Sequence, residues 1–117
     1  MKYTIRLTDD ARQDIDAIAF YIAQNDDPRK AKNLVAKLKM TMASLDTFPE
    51  RGGYPEELLL LDIREVRETY YGPYRIFYRI AGKVVQVLAV ADGRRDLQAF
   101  LVNRVFRDVD ECQDNVD

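Results

Sequence analysis

Apolar and polar positions follow several rhythms along this chain, and each rhythm predicts an element. Residues 2–7, KYTIRL, put Tyr3, Ile5 and Leu7 on one side and Lys2, Thr4 and Arg6 on the other. That is the period of a half-buried strand. Thr8 follows as an N-cap, with Asp9 and Asp10 in the first turn, where the helix dipole favours acid. Ala11, Ile15, Ile18, Ala19 and Ile22 recur at helical spacing, so residues 9–24 read as an amphipathic helix. Asn25, Asp26 and Asp27 break it. Asp27 caps a second helix and Pro28 sits in its first turn. Ala31, Leu34, Val35, Leu38, Met42 and Leu45 carry that stripe to about Phe48, before Pro49. Two helices joined by a short polar turn make an antiparallel hairpin, able to bury both stripes against one sheet.

Residues 49–61, PERGGYPEELLLL, predict a connector, because Gly52, Gly53 and Pro55 forbid a long regular element. The four leucines at 58–61 are expected in the core. From residue 62 the period changes to two. Residues 62–70 suggest a strand, Gly72-Pro73 a turn, and residues 74–80 a strand. In that strand Tyr74, Ile76, Tyr78 and Ile80 share one face, and Arg75, Phe77 and Arg79 the other. Residues 81–83 make a tight hairpin. Residues 84–91, VVQVLAVA, are almost wholly apolar, as in a central strand covered on both faces. Asp92-Gly93 turns the chain, and residues 96–106 predict a closing helix with Leu97, Leu101 and Val105 on one face. The order is β-α-α-β-β-β-α: an α+β fold with a strand and helical hairpin packed on a twisted antiparallel sheet.

Composition narrows the class. A chain of 117 residues with 47% hydrophobic residues is one domain with one core, assigned to residues 1–107. No apolar run reaches the roughly 18–20 residues of a membrane span. The N-terminus lacks a signal-like apolar stretch, so a cytoplasmic protein with no membrane role is expected. The absence of histidine excludes a His-based triad, a His zinc site and an imidazole base. Cys112, the single cysteine, excludes an internal disulfide and reads as an incidental thiol. No cofactor is indicated. Asp9, Asp10, Asp14 and Asp16 are the one acidic group that brings a metal to mind, and the helix N-terminus accounts for the first two.

The net charge of -2 hides an asymmetry. Residues 62–107 hold 9 basic and 5 acidic side chains, 8 of the bases being arginine. Residues 108–117 hold five acids and no base, and read as a disordered acidic tail. Arginine suits fork-like contacts to phosphate or carboxylate. Arg64, Arg67, Arg75, Arg79, Arg94 and Arg95 are therefore the candidate target- or phosphate-binding set. Arg75 and Arg79 project from one strand face about 13 Å apart. The following hairpin returns Arg94 or Arg95 towards Arg75. The set can bind phosphate or stabilise a phosphoryl transition state. It can equally be paired with Glu65, Glu68, Asp92 and Asp96.

Taken together, the segments ARQDIDAIAFYIA, SLDTFPERGG, REV and YRIFYRIAGKVVQVLAVADGRRD resemble the RelE/ParE superfamily of bacterial type II toxins. The likeness spans residues 2–107. It implies the fold already described and a cognate antitoxin, usually encoded beside the toxin, that wraps it. RelE-like members cleave mRNA in the ribosome. ParE-like members, of the plasmid-stabilisation type, poison DNA gyrase and have no known catalytic centre. Arg75 matches an arginine that the ribonucleases use for phosphate, and Arg95, with Arg94 beside it, a second catalytic arginine. Arg64 and Arg67 fall near a basic pair. Phe100 and Leu101 stand where ribonuclease members carry a tyrosine or histidine, and neither can transfer a proton. The pI near 5.2 also fits ribosomal RNA poorly. The resemblance therefore points to a ParE-like gyrase inhibitor that acts by binding. The alternatives are a ribosome-dependent endoribonuclease using Arg75 and Arg95, and a weakly toxic antitoxin-binding protein. For the antitoxin, the helical hairpin and sheet edge offer a groove, with Lys30, Lys32, Lys37 and Lys39 available to acidic residues.

Overall fold

Residues 2–111 are described by a computed structural model, in which the most apolar segment becomes the middle of the sheet. The elements are β1 (Thr4–Leu7), α1 (Asp9–Asn25), α2 (Pro28–Ala43), α3 (Glu56–Leu59), β2 (Arg67–Tyr71), β3 (Tyr74–Ala81), β4 (Val84–Asp92) and α4 (Gln98–Glu111). Strand order is β1-β4-β3-β2. The β2–β3 and β3–β4 pairings are antiparallel, and β1–β4 is parallel, so the sheet is mixed.

Both predicted caps form. The Ala11 N–H donates to the Thr8 hydroxyl (3.1 Å) and the Arg29 N–H to the Asp27 carboxylate (2.8 Å). The second helix is shorter than its stripe suggests. The Thr41 and Ser44 hydroxyls donate to the carbonyls of Lys37 (2.9 Å) and Thr41 (2.7 Å), a back-bonding that competes with the helix. The chain tightens there into 3₁₀ turns at Ser44–Asp46 and Pro49–Arg51.

α1 and α2 cover one sheet face, where Ala11, Ile15, Leu38, Met42 and Leu45 meet Ile76, Tyr78, Val85, Val87 and Val90. α3 and α4 cover the other, where Leu58, Leu97, Leu101 and Val105 meet Phe77, Leu88, Ala89 and Ala91. β4 serves both by alternation, and a bulge at Leu88 shifts its phase. Phe77 pairs with Ala89 and Tyr78 with Val87, so Leu88 and Ala89 fall on the same face.

Besides the shorter second helix and the parallel β1 in a sheet expected to be antiparallel, three expectations change. Of the leucines at 58–61 only Leu58 is core, while Leu60 is 73% exposed, because one helical turn points only one of four consecutive residues inward. The strand expected over 62–70 begins at Arg67: Asp62 has a left-handed φ of 61°, and the Ile63 N–H turns back to the Leu58 carbonyl (2.9 Å). The last helix runs on to Glu111, so the first four residues of the expected disordered tail are helical. Cys112 and the rest of that tail lie outside the described residues.

Candidate arginine site and partner groove

Arg75 is held from both sides by acid. Its guanidinium donates twice to Glu57 (2.7 and 2.9 Å) and twice to one oxygen of Glu68 (2.6 and 2.9 Å). The Arg75 side chain is 12% exposed, and Glu57 and Glu68 20% and 10%. The guanidinium lies 4.9 Å over the Phe77 ring, and its stem packs so closely on Gly93 that a Cβ there would clash. The Gln98 side-chain amide donates to the Glu57 carbonyl (3.0 Å), so α4 braces the short helix that carries the clamp. The Arg75 hydrogen bonds hold the Glu57 carboxyl below its ordinary range, and the carboxylates push the Arg75 pKa up.

The other candidate arginines separate around this centre. Arg94 sits beside Arg75 in the turn after β4, but turns to Asp92 (2.6 and 2.9 Å). Those bonds lower the Asp92 carboxyl to about 2. Arg95 is exposed, and its side chain makes no hydrogen bond or ion pair among the described residues. Arg79 shares the Arg75 face, as the alternation predicts, and donates to Gln86 (2.9 Å). Arg67 points to the opposite face, where it bonds the carbonyls of Glu50 (2.9 Å) and Gly52 (2.8 Å) and stacks 4.5 Å from the Tyr54 ring. Arg64 pairs with Asp62 on the exposed loop. Six arginines thus give one buried clamp and one exposed pair beside it, not a continuous cationic cluster.

Acid should loosen the clamp. A carboxyl depressed in the folded state gives stability that is complete above its unfolded value, near 4.5 for Glu57, and is lost as pH falls through the folded value. The midpoint of thermal unfolding is expected to stay level from pH 7 to about 5 and then fall. Glu57→Gln should shallow that fall, and equal slopes in both proteins would remove Glu57 as its source.

A second clamp joins the chain's two ends. Arg104 donates to both oxygens of Asp14 (2.7 and 3.1 Å) and to the Leu88 carbonyl (3.0 Å), and lies 3.8 Å from Asp10. Asp14 also accepts the Val90 N–H (3.0 Å). β1 reaches only to Val87 along β4, so these side chains satisfy the edge that β1 leaves open. Asp10 and Asp14 are engaged by Arg104 and Arg107, and no group of three metal-ligating side chains occurs among the described residues. Sequence reasoning missed Glu57, Asp14 and Arg104 in these roles. The available signal was Arg104 lying seven residues after Leu97 and one before Val105, on the buried stripe.

On the opposite face a groove of about 570 Å³ runs between β1 and the helical hairpin. Ile5, Leu7, Ile15, Val35 and Met42 line it, and Arg12, Asp16, Lys39 and Asp46 contribute charge. β1 ends the sheet on this side, with one edge unpaired. Of the lysines expected to serve a partner, Lys39 reaches the groove, whereas Lys30 pairs with Asp26 (3.2 Å).

No helix among the described residues is long and apolar enough to cross a membrane. A search of curated proteins finds no match. Among solved structures, the chain resembles the chromosomal ParDE toxin–antitoxin system from P. aeruginosa, with a TM-score of 0.66 and 22% identity over 78% of this chain and 96% of that one. It also resembles the RelBE2 toxin–antitoxin complex from Mycobacterium tuberculosis, with a TM-score of 0.52 and 26% identity over 79% of this chain and 99% of that one. The family described as the ParE toxin of the type II toxin–antitoxin system parDE matches residues 5–97, from β1 through the turn after β4. The strand-and-hairpin scaffold and that match agree: the chain belongs to the ParE toxin family of type II toxin–antitoxin systems.

Proposed function

We propose that this ParE-family toxin acts by binding, with DNA gyrase as its target, and is neutralised by an antitoxin laid in the β1 groove. The observation that carries the reading is the state of Arg75. A phosphate-binding arginine needs free donors facing solvent, and here Glu57 and Glu68 take them. Phe100 and Leu101 follow the second arginine where proton transfer would need a titratable group. The exposed Arg94 and Arg95 remain as contacts for a protein target.

The groove suits an antitoxin in its physics. An extended segment beside β1 can pair with the unpaired backbone edge and drop alternate apolar side chains between Leu7, Ile15 and Met42. The RelBE2 and ParDE structures that the fold resembles are themselves toxin–antitoxin assemblies.

Purified protein added in excess to gyrase is expected to stop supercoiling, and its induction without antitoxin to lower DNA synthesis before protein synthesis. Normal supercoiling with an immediate arrest of translation would sink the reading in favour of ribosomal mRNA cleavage. Unimpaired growth would leave an antitoxin-binding protein of low toxicity.

A further inference from the structure

We propose that Phe48 is a preorganised anchor for the antitoxin, standing where the β1 groove opens. The proposal rests on the antitoxin occupying that groove and names the contact that fixes it there. Phe48 has φ 52° and ψ 57°, a left-handed conformation disfavoured for any residue with a Cβ. Pro49 follows, and a residue before proline is driven further towards extended backbone. Phe48 is also 75% exposed, the most exposed large apolar residue described. Glycine or asparagine would make the same turn with less strain and no wetted ring. Three quarters of Phe48 therefore lies outside the packing of the folded monomer.

The turn beneath it is rigid. The buried Tyr78 hydroxyl donates to the Pro49 carbonyl (2.6 Å). Arg67 donates to the carbonyls of Glu50 and Gly52, and Arg51 to those of Thr47 (2.8 Å) and Ser44 (3.1 Å). The Arg51 N–H closes the turn on the Phe48 carbonyl (3.1 Å). An aromatic ring on a fixed backbone loses little freedom when a partner covers it, the property of an interface hot spot.

Its position selects the occupant. The Tyr3 N–H donates to the Asp46 carbonyl (2.9 Å), tying this turn to the start of β1. Tyr3, Ala43 and Asp46 line the groove at that end, and Phe48 is two residues further on. A segment that follows β1 towards its N-terminal end leaves the groove over Asp46, two residues from the exposed Phe48. Continuity with the groove makes the antitoxin the occupant, in preference to a second copy of the chain or to the toxin's target.

The test uses the full-length toxin and the antitoxin encoded beside its gene, with Phe48→Asn and Phe48→Gly as variants. Both should keep or raise the unfolding temperature, since both relieve the left-handed strain. Both should weaken antitoxin binding about 10-fold or more, largely through faster dissociation. Affinity within about 2-fold of wild type in a folded variant overturns the proposal. So does loss of growth arrest with antitoxin affinity intact, which assigns the ring to the target, or a wild-type dimer that Phe48→Asn dissociates, which assigns it to a second copy. Val35→Glu separates the two levels of the argument. If folded Val35→Glu binds normally, the groove reading fails. If it binds poorly while Phe48→Asn binds normally, only the anchor fails. A wild-type toxin that does not bind the antitoxin overturns both.

Discussion

Arg104→Ala is expected to lower the unfolding free energy by about 3 kcal/mol, the range for removing one partner of a buried ion pair. The loss has three sources. Asp14, 14% exposed, is left without the guanidinium that holds both its oxygens, and Asp10, 7% exposed, keeps Arg107 (3.3 Å) but loses Arg104. The Leu88 carbonyl, on the open edge of β4, loses its nearer donor and keeps only the Thr8 hydroxyl at 3.5 Å. The Phe100 ring loses the guanidinium stacked 4.7 Å above it. Urea denaturation of Arg104→Ala, Asp14→Asn and the double variant measures the coupling between the two sites. The double variant should be more stable than the sum of the single losses predicts, because it leaves neither Asp14 nor Arg104 as the charged half of a broken pair. A loss under about 1 kcal/mol for Arg104→Ala would mean that α4 is held mainly by its apolar stripe, with Gln98 and Arg107, and not by this clamp.

Arg75→Ala carries a second large effect, also about 3 kcal/mol, with a sharper consequence for function. Removing the arginine leaves Glu57 and Glu68 facing each other, half-buried and of like charge. The variant should unfold early, and its loss of toxicity would then say nothing of catalysis. The informative protein is the triple variant Arg75→Met, Glu57→Gln, Glu68→Gln, which removes all three charges together. It should recover most of the stability, as buried ion clusters replaced by neutral side chains commonly do. If Arg75 is a structural clamp, the folded triple variant arrests growth like wild type. A folded but inactive triple variant would place Arg75 in contact with the target.

The fold was legible where a residue's burial follows from its own period. The stripes of α1 and α2, the caps at Thr8 and Asp27, and the two faces of β3 are each written within a few neighbouring positions. The run at 58–61 was not, since four leucines in a row have no period. The bulge at Leu88 was equally hidden, because an all-apolar strand reads the same whether or not its faces shift. Among the arginines, the pairing of Arg94 with Asp92 was visible two residues away. Glu57 reaches Arg75 only because α3 folds under α4, and Asp14 reaches Arg104 only because α1 borders the end of β4. Partners so far apart are set by the fold itself.

The parallel pairing of β1 with β4 also governs when this toxin can exist. Thr4 lies beside Val84 and Leu7 beside Val87. The first strand made must wait for the last, about 4–16 s at ordinary rates of synthesis of 5–20 residues per second. The apolar stripes of α1 and α2 emerge first and stay uncovered until β3 and β4 are complete. An antitoxin already present when β1 is made can therefore meet the hairpin before the toxin fold closes, and capture can precede harm.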